Sequence, residues 1–275
     1  MAIITISHEM GAGGPEIGTT VAQRLGYRHA DHELLMDTAH RYGLLEEKLS
    51  HLDESKPSFF ERLDTETHRY ITAIQTTLLE FAEQDNVVLM GRGGQWLLRG
   101  IPHVLRVRVM APFEVRVKRA AKKLAGQMGE AVSPRMVTEM VRRDDAEKSG
   151  RMRYLFEADV NDPILYELVL NTEKVSTETA VELIAVAVRR DDFATTQAGR
   201  QVVADRALAS RVQVALATQA ETRKYRITVE AQQGVVTLEA TAALEEAVEV
   251  ARTVHGVRDV KTRQVEIPPI PPFVA

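Results

Sequence analysis

A glycine cluster, Gly11-Ala12-Gly13-Gly14, lies between the apolar run Ile3-Ile4-Thr5-Ile6-Ser7 and Pro15-Glu16-Ile17-Gly18-Thr19-Thr20, which is patterned to begin a helix. Strand, glycine turn and helix start, in that order, make a phosphate cradle. Backbone N–H groups of the turn and the positive end of the helix face the phosphate oxygens. A phosphate loop of the usual kind ends in Gly-Lys-Ser/Thr, with the lysine reaching the β- and γ-phosphates. Here Gly14 stands in the lysine position and Pro15 follows it. Pro15 suits the first turn of a helix, where its missing N–H would have no intrahelical partner. It also takes one donor away from the cradle. The plainer reading of the cluster is a tight turn whose glycines only supply positive φ.

A second group of residues carries charge. Between Arg116 and Arg153 stand eleven Lys or Arg residues against five acids, in a chain whose net charge is −4. Phosphoryl transfer is mostly positioning and charge stabilisation, and basic side chains around the transferring group serve it. A solvated helix face is the equal alternative. A third group is Gly91-Arg92-Gly93-Gly94, directly after the apolar run Asn86–Met90. In an open α/β sheet, ligands bind outside the carboxyl ends of the strands. Arg92 is then expected in the same cleft as Gly11–Gly14, with Asp31, after the segment Tyr27–Ala30, as a further candidate.

The elements that must position these residues alternate between strand and helix through residue 193. Ile17, Val21 and Leu25 recur at four-residue spacing and stop at Gly26, which predicts an amphipathic helix. A long polar helical region, interrupted near Pro57, is expected from about His32 to Gln84. Residues 86–90 and 104–110 read as buried strands, the second with Leu105, Val107 and Val109 on one face and Arg106 and Arg108 on the other. Glu114–Leu124 and Pro134–Lys148 read as basic helices, Tyr166–Asn171 as a last strand and Thr177–Arg190 as a helix. Strands separated by helices predict an α/β parallel sheet covered on both faces.

Residues 194–203 are small and polar and read as a linker, within which the next helix could begin. From 204 the pattern becomes helix (Ala207–Thr218), two alternating strands around a turn at Gln232-Gln233-Gly234, helix (Leu244–Val254) and strand (Val257–Ile267). That αββαβ order suits a small α+β domain over 204–267. A proline-rich tail, 268–275, is expected to be extended.

Bulk properties bound the function. The chain has 275 residues, 44% hydrophobic and 27% charged, as in globular proteins. Its negative charge gives no reason to expect nucleic-acid binding. It contains no cysteine, which excludes disulfides and thiolate metal sites and fits a reducing cytoplasm. Neither a signal peptide nor a run of about 18 apolar residues is apparent.

Residues 1–193 resemble the cytidylate kinase-like family, a branch of the nucleoside monophosphate kinases. Ile4-Thr5-Ile6-Ser7-His8-Glu9-Met10-Gly11-Ala12-Gly13-Gly14-Pro15-Glu16-Ile17-Gly18 is similar to its opening. Val87–Gly93 resembles its second loop, and Ala111-Pro112 with Glu114, Arg116 and Arg119 its helix before the lid. Arg142-Arg143-Asp144-Asp145 with Arg151 and Arg153 resembles the lid, and Tyr166–Thr172 its last strand. The resemblance implies a P-loop kinase-like fold. It places ATP on Gly11, Ala12, Gly13, Gly14, Glu16 and Ile17, and a monophosphate acceptor near Asp31, Arg92, Arg116 and Arg119. A mobile lid would bring Arg142, Arg143, Arg151 and Arg153 over the phosphates as catalytic groups. Mg2+ would be held by phosphates and water, with no protein metal ligand. Three residues depart from the family pattern: His8 and Pro15 replace arginines, and Gly93 replaces an acid. The first two bear on phosphoryl transfer, the third on cytosine selectivity.

Residues 204–267 resemble a BON domain, on Gly234-Val235-Val236-Thr237-Leu238 and Val254-His255-Gly256-Val257-Arg258-Asp259-Val260. The resemblance implies binding to a protein, a small ligand or a membrane surface. Nine basic and nine acidic residues balance there, which offers no polybasic attraction to anionic lipid. Two functions are therefore expected to compete. One is an ATP-dependent phosphotransferase acting on CMP, dCMP or a similar small acceptor. The other is a catalytically degenerate nucleotide sensor signalling through the BON-like domain.

Overall fold

Five strands run in one direction: β1 (Ile3–His8), β2 (Arg28–Ala30), β3 (Val87–Met90), β4 (Val104–Met110) and β5 (Leu168–Asn171), in the order β2-β3-β1-β4-β5. The computed structural model describes residues 2–31, 34, 42, 60–129 and 131–265, and of residues 60–68 the backbone alone. β1 lies at the centre, with Ile6 opposite Met90 of β3 and Val107 of β4. All five carboxyl ends therefore share one edge, and the loops after β1 and β3 leave from adjacent strands.

The helices of this unit are α1 (Gly14–Leu25), the end of α2 (Phe60–Glu83), α3 (Gly94–Leu97), α4 (Phe113–Met128), α5 (Pro134–Phe156) and α6 (Thr177–Val188). α1 buries Ile17 and Val21 against Ile4, Ile6, Val88 and Val107 of the sheet, together with Val181 and Ile184 of α6. Each such aliphatic side chain contributes about 1.5–3 kcal/mol on leaving water. Gly26, left-handed at φ 68°, ends α1 by donating its N–H to the carbonyls of Ala22 and Gln23, the glycine stop that the sequence predicts.

The opposite face of β4 is not a solvent face. Arg108 is buried, donating to Ser7 Oγ at 2.9 Å, and Arg106 donates to both carboxylate oxygens of Glu167. Charged residues alternate along β4 because each has a carboxylate partner, Glu167 for Arg106 and Glu9 for Arg108. β2 is a three-residue strand on β3, too short to carry a period. The last strand begins at Leu168 rather than Tyr166, because Pro163–Leu165 form a 3-10 turn capped by Asp162. α5 runs to Phe156, eight residues past the expected end, because nothing in Ser149–Tyr154 breaks a helix except one glycine.

The described residues divide by compactness into two units, 2–31 with 80–200, and 60–79 with 201–265. The second unit contains the rest of α2, most of α7 (Gln197–Thr218), β6 (Thr228–Gln232), β7 (Val235–Ala240), α8 (Leu244–Thr253) and β8 (Asp259–Gln264). Its sheet has the order β6-β7-β8, with β6 antiparallel and β8 parallel to β7. Leu208, Val212, Val236, Leu238, Ala247 and Ala251 form its core. Gln233 (φ 50°) and Gly234 (φ 85°) make the two-residue hairpin turn.

The expected linker is helical from Gln197 onward, since α7 begins there. Its residues Ala198, Gln201, Val202 and Val203 form helix well enough, and small polar composition alone did not separate them from a loop. Only Phe60–Glu83 of the expected helical region 32–84 is described at length, and the proline-rich tail lies outside the described residues. No helix among the described residues is long and apolar enough to cross a membrane.

Candidate functional site

β1 ends at His8, and the chain then turns through Gly11 (φ 80°) and Gly13 (φ 88°) into α1. Both glycines adopt the left-handed conformation that other residues resist. Gly11 is also required by space, because a Cβ there would sit 2.4 Å from the Arg116 carbonyl oxygen. Gly14 is required for a different reason. A Cβ there would lie 2.3 Å from the His8 side chain, so the histidine fills the room a side chain at 14 would need. In the first turn of α1, Pro15 has no N–H and Ile17 donates to the Gly13 carbonyl. The amides of Gly14 and Glu16 are the first-turn donors the helix itself does not use.

The loop borders a cavity of about 820 Å³. Its wall includes Gly11, Gly13, Pro15 and Glu16 from the loop and helix start, Arg119, Lys122 and Lys123 from α4, and Asp144 and Lys148 from α5. The segment Thr172–Thr177 after β5 completes it. Thr172 Oγ1 donates to the Ala12 carbonyl at 2.8 Å and fastens that segment to the loop. Arg119 is held by Thr172 through Oγ1 at 3.0 Å and the carbonyl at 2.8 Å. Lys123 pairs with Glu16 at 3.0 Å. Lys148 Nζ donates to the His8 carbonyl at 3.1 Å and lies 2.8 Å from Asp144 Oδ2.

Beneath the loop is a buried charge network. Glu9 accepts the Ala111 N–H at 3.1 Å and faces the guanidinium groups of Arg116 at 3.2 Å and Arg108 at 3.5 Å. Arg116 also grips Asp145 of α5 with two hydrogen bonds of 3.0 and 2.8 Å, and donates to the Ala111 carbonyl at 3.1 Å. Such a two-toothed arginine clamp fixes geometry as well as charge. It ties β1, α4 and α5 together at the base of the cavity. His8 is held neutral: burial, then the positive charge of Lys148, push its pKa down to about 4.

The sequence-predicted residues fall into three sets. Gly11, Gly13 and Glu16 line the cavity, Ala12 and Ile17 are buried behind it, and Gly14 packs on His8. Arg119 lines it too, but Arg116 does not. Arg116 is 5% exposed and its guanidinium is occupied by protein groups, so it builds the site rather than facing a ligand. Asp31 and Arg92 stand at the carboxyl edge of the sheet, outside the cavity wall. Asp31 accepts the Leu34 N–H at 3.0 Å, and Arg92 (φ 55°) sits between two left-handed glycines. Arg142, Arg143, Arg151 and Arg153 are exposed on α5 and are absent from the wall. Arg142 lies over the Phe113 ring, and Arg143 pairs with Glu147 one turn on.

Sequence reasoning gave no individual site role to Glu9, Asp144 or Lys148. Lys148 was visible only as one charge among eleven. Its four-residue spacing from Asp144 was the available signal, since that spacing puts both on one face of a helix.

Residues 3–174 match the cytidylate kinase-like family. The chain belongs to that family. A cytidylate kinase of Methanocaldococcus jannaschii is 28% identical over 189 residues, spanning 68% of this chain and 97% of the relative. That of Staphylothermus marinus is 28% identical over 185 residues, 67% of this chain and 94% of the relative. Among solved structures, an uncharacterized protein of Eubacterium ventriosum superposes with a TM-score of 0.53 at 18% identity, over 69% of this chain and all of the other. It shares the fold. The family match ends at Lys174, within the first unit and short of α6.

Proposed function

We propose that the protein is a nucleoside monophosphate kinase-type phosphotransferase, moving the γ-phosphoryl group of ATP to CMP, dCMP or a similar small acceptor. One observation carries the reading. The glycine turn after β1 opens on a cavity of about 820 Å³ whose wall bears Arg119, Lys122, Lys123 and Lys148. That volume lies in the usual range for small-molecule sites, about 300–1,000 Å³. Cationic walls and helix-start amides suit a polyphosphate. Asp144 is paired to Lys148, so a magnesium ion would rest on the phosphates and water. Bound there, the ion would neutralise charge on the phosphates.

The chain's own groups would then divide the work. The amides of Gly14 and Glu16 hold phosphate oxygens, and the Glu9–Arg116–Asp145 network keeps loop and helix in register. Arg92 and Asp31, at the same sheet edge, are the acceptor-side candidates. The exposed arginines of α5 reach a phosphate only if that helix moves. Membership of a cytidylate kinase-like family and similarity over 94% and 97% of the length of two enzymes named cytidylate kinase support the reading.

The test is product analysis with ATP, Mg2+ and CMP, dCMP, UMP or AMP. Diphosphate formation is expected, with a cytidine nucleotide preferred. Arg92→Ala is expected to raise the acceptor KM about tenfold, a loss of about 1.4 kcal/mol, and to leave ATP affinity unchanged. Equal losses for both substrates would remove Arg92 from the acceptor site.

The alternative, a nucleotide sensor without turnover, is favoured by one contact: His8 packs where a side chain at 14 would go, so the loop lysine is excluded. ATP binding without product would establish it. The αββαβ order of the described residues from 204 to 265 supports a BON-like module over 204–267, serving a protein, small-ligand or membrane partner.

A further inference from the structure

The loop lacks its own lysine, and the two nearest replacements by sequence cannot supply the charge. Gly14 has no side chain and no room for one, and burial keeps His8 neutral at physiological pH. The missing cation must therefore come from outside the loop. Four basic residues line the cavity, and their engagements differ. Arg119 directs two hydrogen bonds to Thr172. Lys123 is tied to Glu16, and Lys122 is exposed on α4. Lys148 differs, because its Nζ is fixed to the last carbonyl of β1, immediately before the loop, and its side chain is only 37% exposed.

We infer that Lys148, carried on α5, performs the phosphate-binding task of the absent loop lysine, contacting the terminal phosphates of a nucleoside triphosphate. This rests on the phosphotransferase reading above. An ammonium group has three donors. The His8 carbonyl takes one, and Asp144 at 2.8 Å takes at most another. Asp144 Oδ2, 2.8 Å away, is at the distance of a charge-assisted hydrogen bond and is counted as taking that second N–H. At least one N–H is left for an acceptor in the cavity that Lys148 lines. The Arg116–Asp145 clamp fixes the turn of α5 preceding Lys148. The lysine is thus placed by packing before any ligand arrives, which lowers the entropic cost of using it.

The experiment is calorimetric titration of the full chain and of Lys148→Ala, Lys148→Gln and Lys148→Arg with ATP and with AMP, followed by turnover. Lys148→Ala and Lys148→Gln are expected to weaken ATP binding at least tenfold while changing AMP binding less than twofold, and to lower kcat. Lys148→Arg is expected to recover part of both. A purely structural lysine would change the two nucleotides equally, and that result overturns the inference. So does unaltered ATP binding and turnover in Lys148→Ala and Lys148→Gln. Failure of the unsubstituted protein to bind ATP would instead overturn the phosphotransferase reading together with it. A variant that loses its thermal transition is read through Lys148→Arg, whose ATP affinity must then exceed its AMP affinity as in the parent.

Discussion

Two glycine loops leave adjacent strands of the same sheet, and they differ in what each meets among the described residues. Gly11–Gly14 follows β1 and Gly91–Gly94 follows β3, and each carries left-handed glycines into a helix. The first leads into twelve residues of α1 and borders the large cavity. The second leads into the four residues of α3, and Phe156 closes over it: a Cβ on Gly93 would lie 2.7 Å from that ring. A glycine-rich turn therefore says that backbone must approach something closely. What it approaches decides the function, and that depends on residues far off in the sequence.

The sharpest way to break the comparison is to remove the charge network beneath the first loop. Arg116→Ala leaves Glu9 and Asp145 without their shared cation. It is expected to cost about 3–5 kcal/mol, because it removes two charge-assisted hydrogen bonds to Asp145 and leaves Glu9 with Arg108 alone. Denaturant unfolding measures it, and a loss below about 1 kcal/mol would mean the network is not a structural clamp. Next in size is the contrast between Gly11→Ala and Gly91→Ala. Both sites have positive φ, but a Cβ on Gly11 meets backbone while Gly91 has open space. Gly91→Ala should lose about 1 kcal/mol from conformation alone. Gly11→Ala should lose about 1–3 kcal/mol more from overpacking, and ATP affinity with it. Equal losses would show that space does not distinguish the loops.

A smaller effect sharpens the comparison through pH. His8 has an ordinary pKa of 6.5 when unfolded and about 4 in place, lowered by burial and then by Lys148. Between those values the unfolded chain binds more protons than the folded one. Stability therefore falls as pH drops through that window and is unaffected by His8 above it. His8→Asn should flatten the slope of stability against pH between 6.5 and 4. An unchanged slope would mean His8 protonates freely in the folded protein.

Much of this was legible in the residues. The parallel sheet followed from apolar runs at 3–7, 86–90 and 104–110, separated by helical periods, and the glycine loop from its place between strand and helix. The site was only half legible. Arg116 and Lys148 belong to the same basic block, and sequence favoured Arg116 as a ligand contact. Burial separates them: Arg116 meets two carboxylates away from the cavity, while Lys148, with one carboxylate and a carbonyl as partners, lines it. Charge counting sees neither partner, because Glu9 and Asp145 lie 107 and 29 residues from Arg116 along the chain and become its neighbours only through folding. The four arginines expected to clamp phosphate came from the resemblance to the family's lid, and the face of α5 on which each lies is fixed only when the helix is docked.

The packing of His8 on Gly14 also constrains how this sequence can change. A lysine restored at 14 alone meets the imidazole, and glycine installed at 8 alone leaves a hole beside a loop that still lacks its cation. Neither single step gives a loop with a working lysine, whereas both together can, so the two positions are coupled rather than additive. A lysine-bearing loop is thus reached only through an unfavourable intermediate, and a charge delivered from another helix avoids that step.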